Sequence, residues 1–196
     1  MVSRYAPSEF EFVCVTEDPA GIRPEVKIRA FPPANDFEVW WNKMHLFHMF
    51  NDGQQNLFFD LDVIIHNSLD YLFTYTNGCV TIISSAWKDP KRLDMFDTLY
   101  NSSVISWTDG KYLWDQFNED PEKYMSIYKG IDRFFWNEKS KIKTFDNGHI
   151  YSYWKGASRE DREPEKYRED HSVCILNHKP KPHELTSSWI QNYWVE

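Results

Sequence analysis

Apolar residues along this 196-residue chain fall in short blocks whose spacing switches between a period of two and a period near 3.6, which predicts strands alternating with helices. Met1 to Pro7 reads as a tail, after which residues 10–16 (FEFVCVT) and 26–30 predict two strands. The turn formers of 17–24 (EDPAGIRP) separate them, and Phe31-Pro32-Pro33 closes the second. Asp36 is the expected cap of a helix over 38–50 that carries Trp40, Met44 and Phe47 on one stripe. Asn51-Asp52-Gly53 turns the chain into a long apolar block, and Asn67 or Ser68 then caps a short LDYLF helix with Asp70 in its first turn. Strands follow at 79–84 and 100–107, and the polar loop 86–94 between them carries Trp87 toward a ligand mouth. Residues 111–130 predict helical segments broken at Pro121 and packed through Tyr112, Trp114, Phe117, Tyr124 and Ile127, with 132–136 continuing in helical spacing. Strands at 150–153 and 172–176 bracket the almost wholly charged stretch 155–170, read as a solvated, mobile loop or else as a lid, and residues 189–194 finish the chain. The alternation defines an α/β class with a mostly parallel sheet, one domain over 1–196, and ligands at the carboxyl ends of strands.

The block that organises the rest is Asn56 to Phe73, NLFFDLDVIIHNSLDYLF. Two carboxylates, Asp60 and Asp62, interrupt a segment that otherwise reads as a buried central strand. A carboxylate in apolar surroundings loses several kcal/mol of hydration unless a cation or donors replace the water. The strand period of two points both acids to one face and Leu61 and Val63 to the other. Two oxygen ligands at one strand end suit Mg²⁺ or Mn²⁺, which keeps positions open for substrate phosphates. A bare Asp-x-Asp is explained as well by a strand end followed by a cap; the apolar run before it and the strand after it favour the metal.

Composition narrows the partners. A formal charge of -8 leaves no basic field to draw nucleic acid or an anionic membrane. Aromatic content of 17%, with nine Trp, leaves rings free to stack on sugars or bases beyond those the core needs. Cys14, Cys79 and Cys174 each lie in a short apolar run, so free buried thiols in a reducing compartment are expected, and neither a long apolar segment nor a signal-peptide pattern is present. A soluble, cytoplasmic protein is the expectation. His45 and His48 have metal-compatible spacing but aromatic neighbours, and read as structural or surface histidines. Asn101, Ser102 and Ser103 can line a site or simply turn the chain into its strand.

With the acidic pair and the closing NHKPKPHE (177–184) both in view, the chain resembles metal-dependent glycosyltransferases of the GT-A fold, the small bacterial and phage enzymes related to glycogenin and lipopolysaccharide galactosyltransferases. FEFVCVTEDPAGI resembles their second strand and its loop, WWNKMHLF the helix before the metal strand, FFDLDVII the DxD strand, NSSVISW the acceptor-side strand and NHKPKPHE the C-terminal HGxPKPH-like motif. The resemblance implies a Rossmann-like mixed, mostly parallel sheet flanked by helices, here without the family's first strand and most of its first helix. A sheet short of a strand offers unpaired main-chain groups to other chains, so a truncated form, a split gene product or a mis-started reading frame is the expectation; a homo-oligomer is a candidate assembly.

The same resemblance implies a nucleotide-sugar donor, UDP-linked, a carbohydrate or other hydroxyl acceptor, and retention at the anomeric carbon. Asp60 and Asp62 would hold Mn²⁺ or Mg²⁺. Lys43 would approach the nucleotide phosphates, Leu61 would join the nucleotide or substrate site, Asn101 and Ser103 would face the donor sugar or acceptor, Lys181 would stabilise the leaving group, and Asp132 falls where relatives carry an Asp/Gln pair. The family's metal-binding histidine aligns with Asn177, with His178 in place of its glycine, so either can complete the metal site. A haloacid-dehalogenase-like phosphatase is the alternative enzyme, with Asp60 as nucleophile and Ser84 as its hydroxyl group, although no later strand carries its acidic pair. A nucleotide-sugar-binding protein that has lost turnover is a third reading.

Overall fold

A computed structural model describes all residues except 7–8, 33–36, 75–77, 94–96, 140 and 195–196. Asp36, the expected cap, lies outside the described residues, as do Pro7, Pro33 and Asp94. In chain order the elements are α1 (Val2–Tyr5), β1 (Val13–Val15), β2 (Lys27–Arg29), α2 (Met44–Met49) led by a 3₁₀ turn over Val39–Lys43, β3 (Asn56–Phe59) and β4 (Val63–Ile65). After a 3₁₀ turn over Asp70–Thr74 come β5 (Val80–Ser84), β6 (Tyr100–Trp107), α3 (Lys111–Glu119), α4 (Pro121–Ile127), α5 (Ile131–Asn137), β7 (Ile142–Thr144), β8 (Ile150–Ser152), β9 (Val173–Ile175) and α6 (Ser188–Tyr193).

The strands form mixed sheets: a four-stranded one in the order β3-β6-β5-β7, a three-stranded one in the order β4-β9-β8, and the pair β1-β2. The β1–β2, β5–β7 and β8–β9 ladders are parallel and the β3–β6, β5–β6 and β4–β9 ladders antiparallel. Alternation along the strands sorts side chains between three apolar clusters. Phe58, Ile82, Ile105 and Trp107 turn to the cluster under α2, α3 and α5, which also holds Trp41, Phe117 and Phe134. Phe59, Val104, Val63, Ile65, Val173 and Ile175 meet in a second cluster shared by the two larger sheets. Ile64, Cys174, Leu176 and Tyr151 turn to a third, closed by Ile190 of α6. The N-terminal segment is not a loose tail, since Met1, Val2 and Tyr5 pack on the second cluster and the Tyr5 carbonyl accepts from the Leu69 amide at 3.0 Å.

The expected continuous strand through Asp60-Leu61-Asp62 is instead a break between two sheets. The Asp60 amide still donates to the Ser103 carbonyl at 2.9 Å, extending the β3–β6 ladder, whereas the Asp62 carbonyl accepts from the Leu176 amide at 3.1 Å, beginning the β4–β9 ladder. Leu61 stands alone between them and is 93% exposed. Both flanking strands are apolar, so the sequence reads through the break.

Three further expectations are corrected. The stripe on the second helical segment runs through Trp41, Met44 and Phe47 rather than Trp40, because the segment opens as a 3₁₀ turn whose period of three brings residue 41, not 40, into line with 44 and 47. Trp87 is buried beside Ile83, Val104 and Phe145 instead of standing at a mouth, because tight turns carry the chain inward right after β5. Ile127, the last residue of α4, is 55% exposed, and α4 buries no residue outright. The Pro121 break itself is well explained, since Asp120 caps α4 through the Lys123 amide at 3.1 Å with Pro121 in the first turn. Of the three free cysteines, Cys174 is buried while Cys14 and Cys79 are partly so. His45 is buried, stacked on Phe37 at 4.9 Å, and His48 lies on Trp114 at 5.2 Å, both structural placements.

The charged stretch 155–170 is folded rather than merely solvated. Arg168 is buried, and its guanidinium binds both oxygens of Asp161 at 2.9 and 2.6 Å, donates to the Glu163 and Lys166 carbonyls, and lies 5.0 Å over the Tyr151 ring. Gly156 starts this segment at φ +86°, bridged to Ser152, and a Cβ there would lie 2.7 Å from the Arg162 Cα. Gly156→Ala is therefore expected to cost about 2–4 kcal/mol, read as a lowered denaturation midpoint with unchanged slope. An unchanged midpoint would mean the segment yields without consequence.

Beneath that segment lies His66, at the end of β4. It is buried among Tyr151, Tyr167, Trp189 and Tyr193, with ring centroids 5.1–6.2 Å away, and neither ring nitrogen has a hydrogen-bond partner among the described residues. Burial first, and the nearby His171 second, lower its pKa to about 4.

Candidate active site

The break between the sheets opens onto a cleft of ≈ 360 Å³ lined by Asp60 and Asp62, by Asn101, Ser102 and Ser103 of β6, by Trp40 and Lys43 ahead of α2, by 129–132 at the start of α5, and by Asn177 after β9. Each acid reaches it from a different sheet. Asp60 is the residue after β3 and faces the 3₁₀ turn, whose Lys43 ammonium lies 2.7 Å from Oδ1 and 2.8 Å from Oδ2. The same ammonium donates to the Ser102 carbonyl at 3.2 Å and to Ser102 Oγ at 3.3 Å, so four oxygen atoms surround it. Asp62 leads into β4 and pairs with the Lys181 ammonium, which also donates to the Leu176 carbonyl at 3.1 Å. Lys181 is fixed in turn by its own amide, 2.6 Å from the Glu184 carboxylate, in the turn that ends KPHE.

Asp132 closes the opposite side. Its Oδ1 accepts from the Ser102 amide at 2.9 Å, tying the first turn of α5 to β6. Burial raises its pKa above the ordinary carboxylate range, opposed by the Ser102 hydrogen bonds and the Lys43 charge. Asn101 accepts from the Ser103 amide at 3.0 Å, and Asn177 Oδ1 accepts from Ser152 Oγ at 3.1 Å.

Of the sequence-derived site residues, Lys43, Asp60, Asp62, Asn101, Ser103, Asp132 and Asn177 line this one cleft, and Lys181 reaches it through Asp62. Leu61 and His178 are not among its lining residues. Leu61 projects into solvent. His178 is exposed, its pKa lowered by partial desolvation and by the charges of Lys155, Lys181 and Lys88. Sequence reasoning missed Trp40, which it assigned to the core, and the part of Ser102, which touches both Lys43 and Asp132. The only trace of the first is the doubled Trp40-Trp41: one helical face cannot bury both.

Among the described residues no group of three or more His, Cys, Asp and Glu side chains is gathered as a metal cage. Asp60, Asp62 and Asn177 do bring to one cleft oxygen atoms of the kind that could hold a hard cation. Each carboxylate already faces one positive charge, so the chain compensates both acids with lysine.

No family model matches the sequence, and no curated protein matches it. Among solved structures the chain is similar to the galactosyltransferase LgtC, solved with donor and acceptor sugar analogs, with a TM-score of 0.56 and 16% identity over 89% of this chain and 76% of LgtC. It is also similar to the bifunctional glycosyltransferase WbbM, with a TM-score of 0.52 and 12% identity over 83% of this chain and 37% of WbbM. The chain thus has the mixed α/β fold of GT-A-like glycosyltransferases. No described helix is long and apolar enough to cross a membrane.

Proposed function

We propose that the protein is a glycosyltransferase that moves a sugar from a nucleoside diphosphate donor, UDP-linked, to an acceptor hydroxyl with a divalent cation, Mn²⁺ or Mg²⁺. The observation that carries this reading is the meeting of Asp60 and Asp62 in one cleft, each paired with a lysine from a different segment, within a fold shared with glycosyltransferases. Asp60, Asp62 and Asn177 would hold the cation, which when bound neutralises charge on the departing diphosphate. Lys43 and Lys181 add two ammonium groups where that charge grows, the preorganised electrostatics that phosphate leaving groups need. Asn101, Ser103 and Asp132 supply hydrogen-bond partners for sugar hydroxyls and so fix the donor relative to the acceptor. Retention rests on the family resemblance. The phosphatase alternative gains nothing from the fold, since β3, which leads into Asp60, is an edge strand of its sheet among the described residues and its partner is antiparallel.

A screen of nucleotide sugars tests the reading. With Mn²⁺ present, slow hydrolysis of at least one UDP-sugar is expected, together with a rise in melting temperature on adding UDP. Inertness toward every donor and no shift with any nucleoside diphosphate would overturn it; release of phosphate from p-nitrophenyl phosphate would revive the phosphatase.

A further inference from the structure

Of the residues that line the cleft, Trp40 and Ile131 are the large apolar ones, and Ile131 is buried in the core. Trp40 is 47% exposed, whereas its neighbour Trp41 is 1% exposed and stacks on Phe117 at 5.2 Å. Among the described residues no aromatic ring stacks on Trp40. Its position is set by the 3₁₀ turn: a period of three puts residues 40 and 43 on one side, one turn or about 6 Å apart. The indole therefore stands one turn along the cleft from the ammonium that grips Asp60. The backbone of Gly130 lies beside the pyrrole edge of the indole, where an added Cβ would come within ordinary contact of Nε1, at 3.5 Å. Asp132 and Asn101 line the same cleft.

A flat apolar ring surrounded by carboxylate, amide and hydroxyl groups matches a ligand with one C–H face and a rim of hydroxyls. We propose that Trp40 is the platform for a pyranose ring, with the C–H face of the sugar on the indole and its hydroxyls toward Asn101 and Asp132. This inference rests on the transferase reading and deepens it. The sugar can belong to the donor or to the acceptor, and the chemistry of contact is the same.

Titrations of the full chain in Mn²⁺ with UDP, with UDP-glucose, UDP-galactose and UDP-N-acetylglucosamine, and with the methyl glycosides of those sugars on the UDP-loaded protein, separate the sources. Trp40→Ala should leave UDP affinity within about twofold while weakening one sugar class about tenfold, the size of a lost ring contact. Loss confined to UDP-sugars places the donor sugar on Trp40, and loss confined to methyl glycosides places the acceptor there. Trp40→Phe should restore most of the binding. Equal weakening of UDP itself would mean that the nucleobase stacks there and would overturn the proposal, as would sugar binding that is unchanged in the alanine variant or undetectable in the parent that binds UDP. Failure of the parent to bind UDP at all would overturn the transferase reading instead.

Discussion

Replacing Asp62 by alanine is expected to abolish the thermal stabilisation that UDP and Mn²⁺ give together and to slow sugar transfer at least about a thousandfold, some 4 kcal/mol of barrier. The fold should tolerate the change. The contribution of Asp62 to the β4–β9 ladder is its carbonyl, which accepts from the Leu176 amide at 3.1 Å whatever the side chain. The side chain is partly exposed, as is that of Lys181, so the pair itself is worth at most about 1 kcal/mol to stability. Asp60 would be a poorer probe, because its loss strands the Lys43 ammonium, which is only 16% exposed. Differential scanning with UDP, with Mn²⁺ and with both separates the outcomes. A melting shift equal to that of the parent would remove Asp62 from the proposed cation site and with it the main support for metal-assisted transfer.

The second large effect is on stability and comes from His66. Its folded pKa of about 4 lies below the 6.5 of an unfolded histidine. Above pH 6.5 neither state binds the proton and the site costs nothing. Below it, the unfolded chain takes a proton that the folded chain refuses, so stability falls as pH drops from 6.5 toward 4. Between pH 7.5 and pH 5 this group alone should remove about 2 kcal/mol. The groups facing it are His171 and the phenols of Tyr151, Tyr167 and Tyr193, of which His171 lowers its pKa further. Depressed carboxylates such as Asp161 and Asp170, already below 3.8, act only at lower pH. His66→Phe keeps a ring among rings and should reduce the loss of urea-derived stability over that interval by about 2 kcal/mol. A variant with the same slope as the parent would assign the acid sensitivity to another group.

Much of this architecture could be read from residue order, and the misreadings share a cause. The β6 strand falls on the residues expected, because a short polar entry followed by β-branched and aromatic residues is the mark of a buried strand. The α3–α4 boundary is equally plain, since Asp120-Pro121 both ends one helix and caps the next. By contrast, Phe58-Phe59 and Val63-Ile64-Ile65 look like one strand, because each is apolar enough to lie between layers, and periodicity carries no mark of a change of sheet. The strand β7 was not foreseen, since Ile142-Lys143-Thr144 is short and gains its stability from Val80 to Ile82 alongside. Trp40 was misassigned for want of the 3₁₀ turn, and the run 155–170 because its composition hides one buried arginine that arranges the rest. At the site, the acids, Lys43, Asn101, Ser103, Asp132 and Asn177 were legible as a set from the resemblance. The arrangement of lysine against acid was not, being a matter of distance across segments far apart in the chain.

The single solvent-facing leucine between the two acids has one more implication. It is the seam of the molecule: on one side the main-chain ladder runs through β3 and β6, on the other through β4 and β9, and among the described residues the two larger sheets share apolar packing but no ladder. A ligand that engages both carboxylates would therefore stitch together two sheets that otherwise meet through apolar packing.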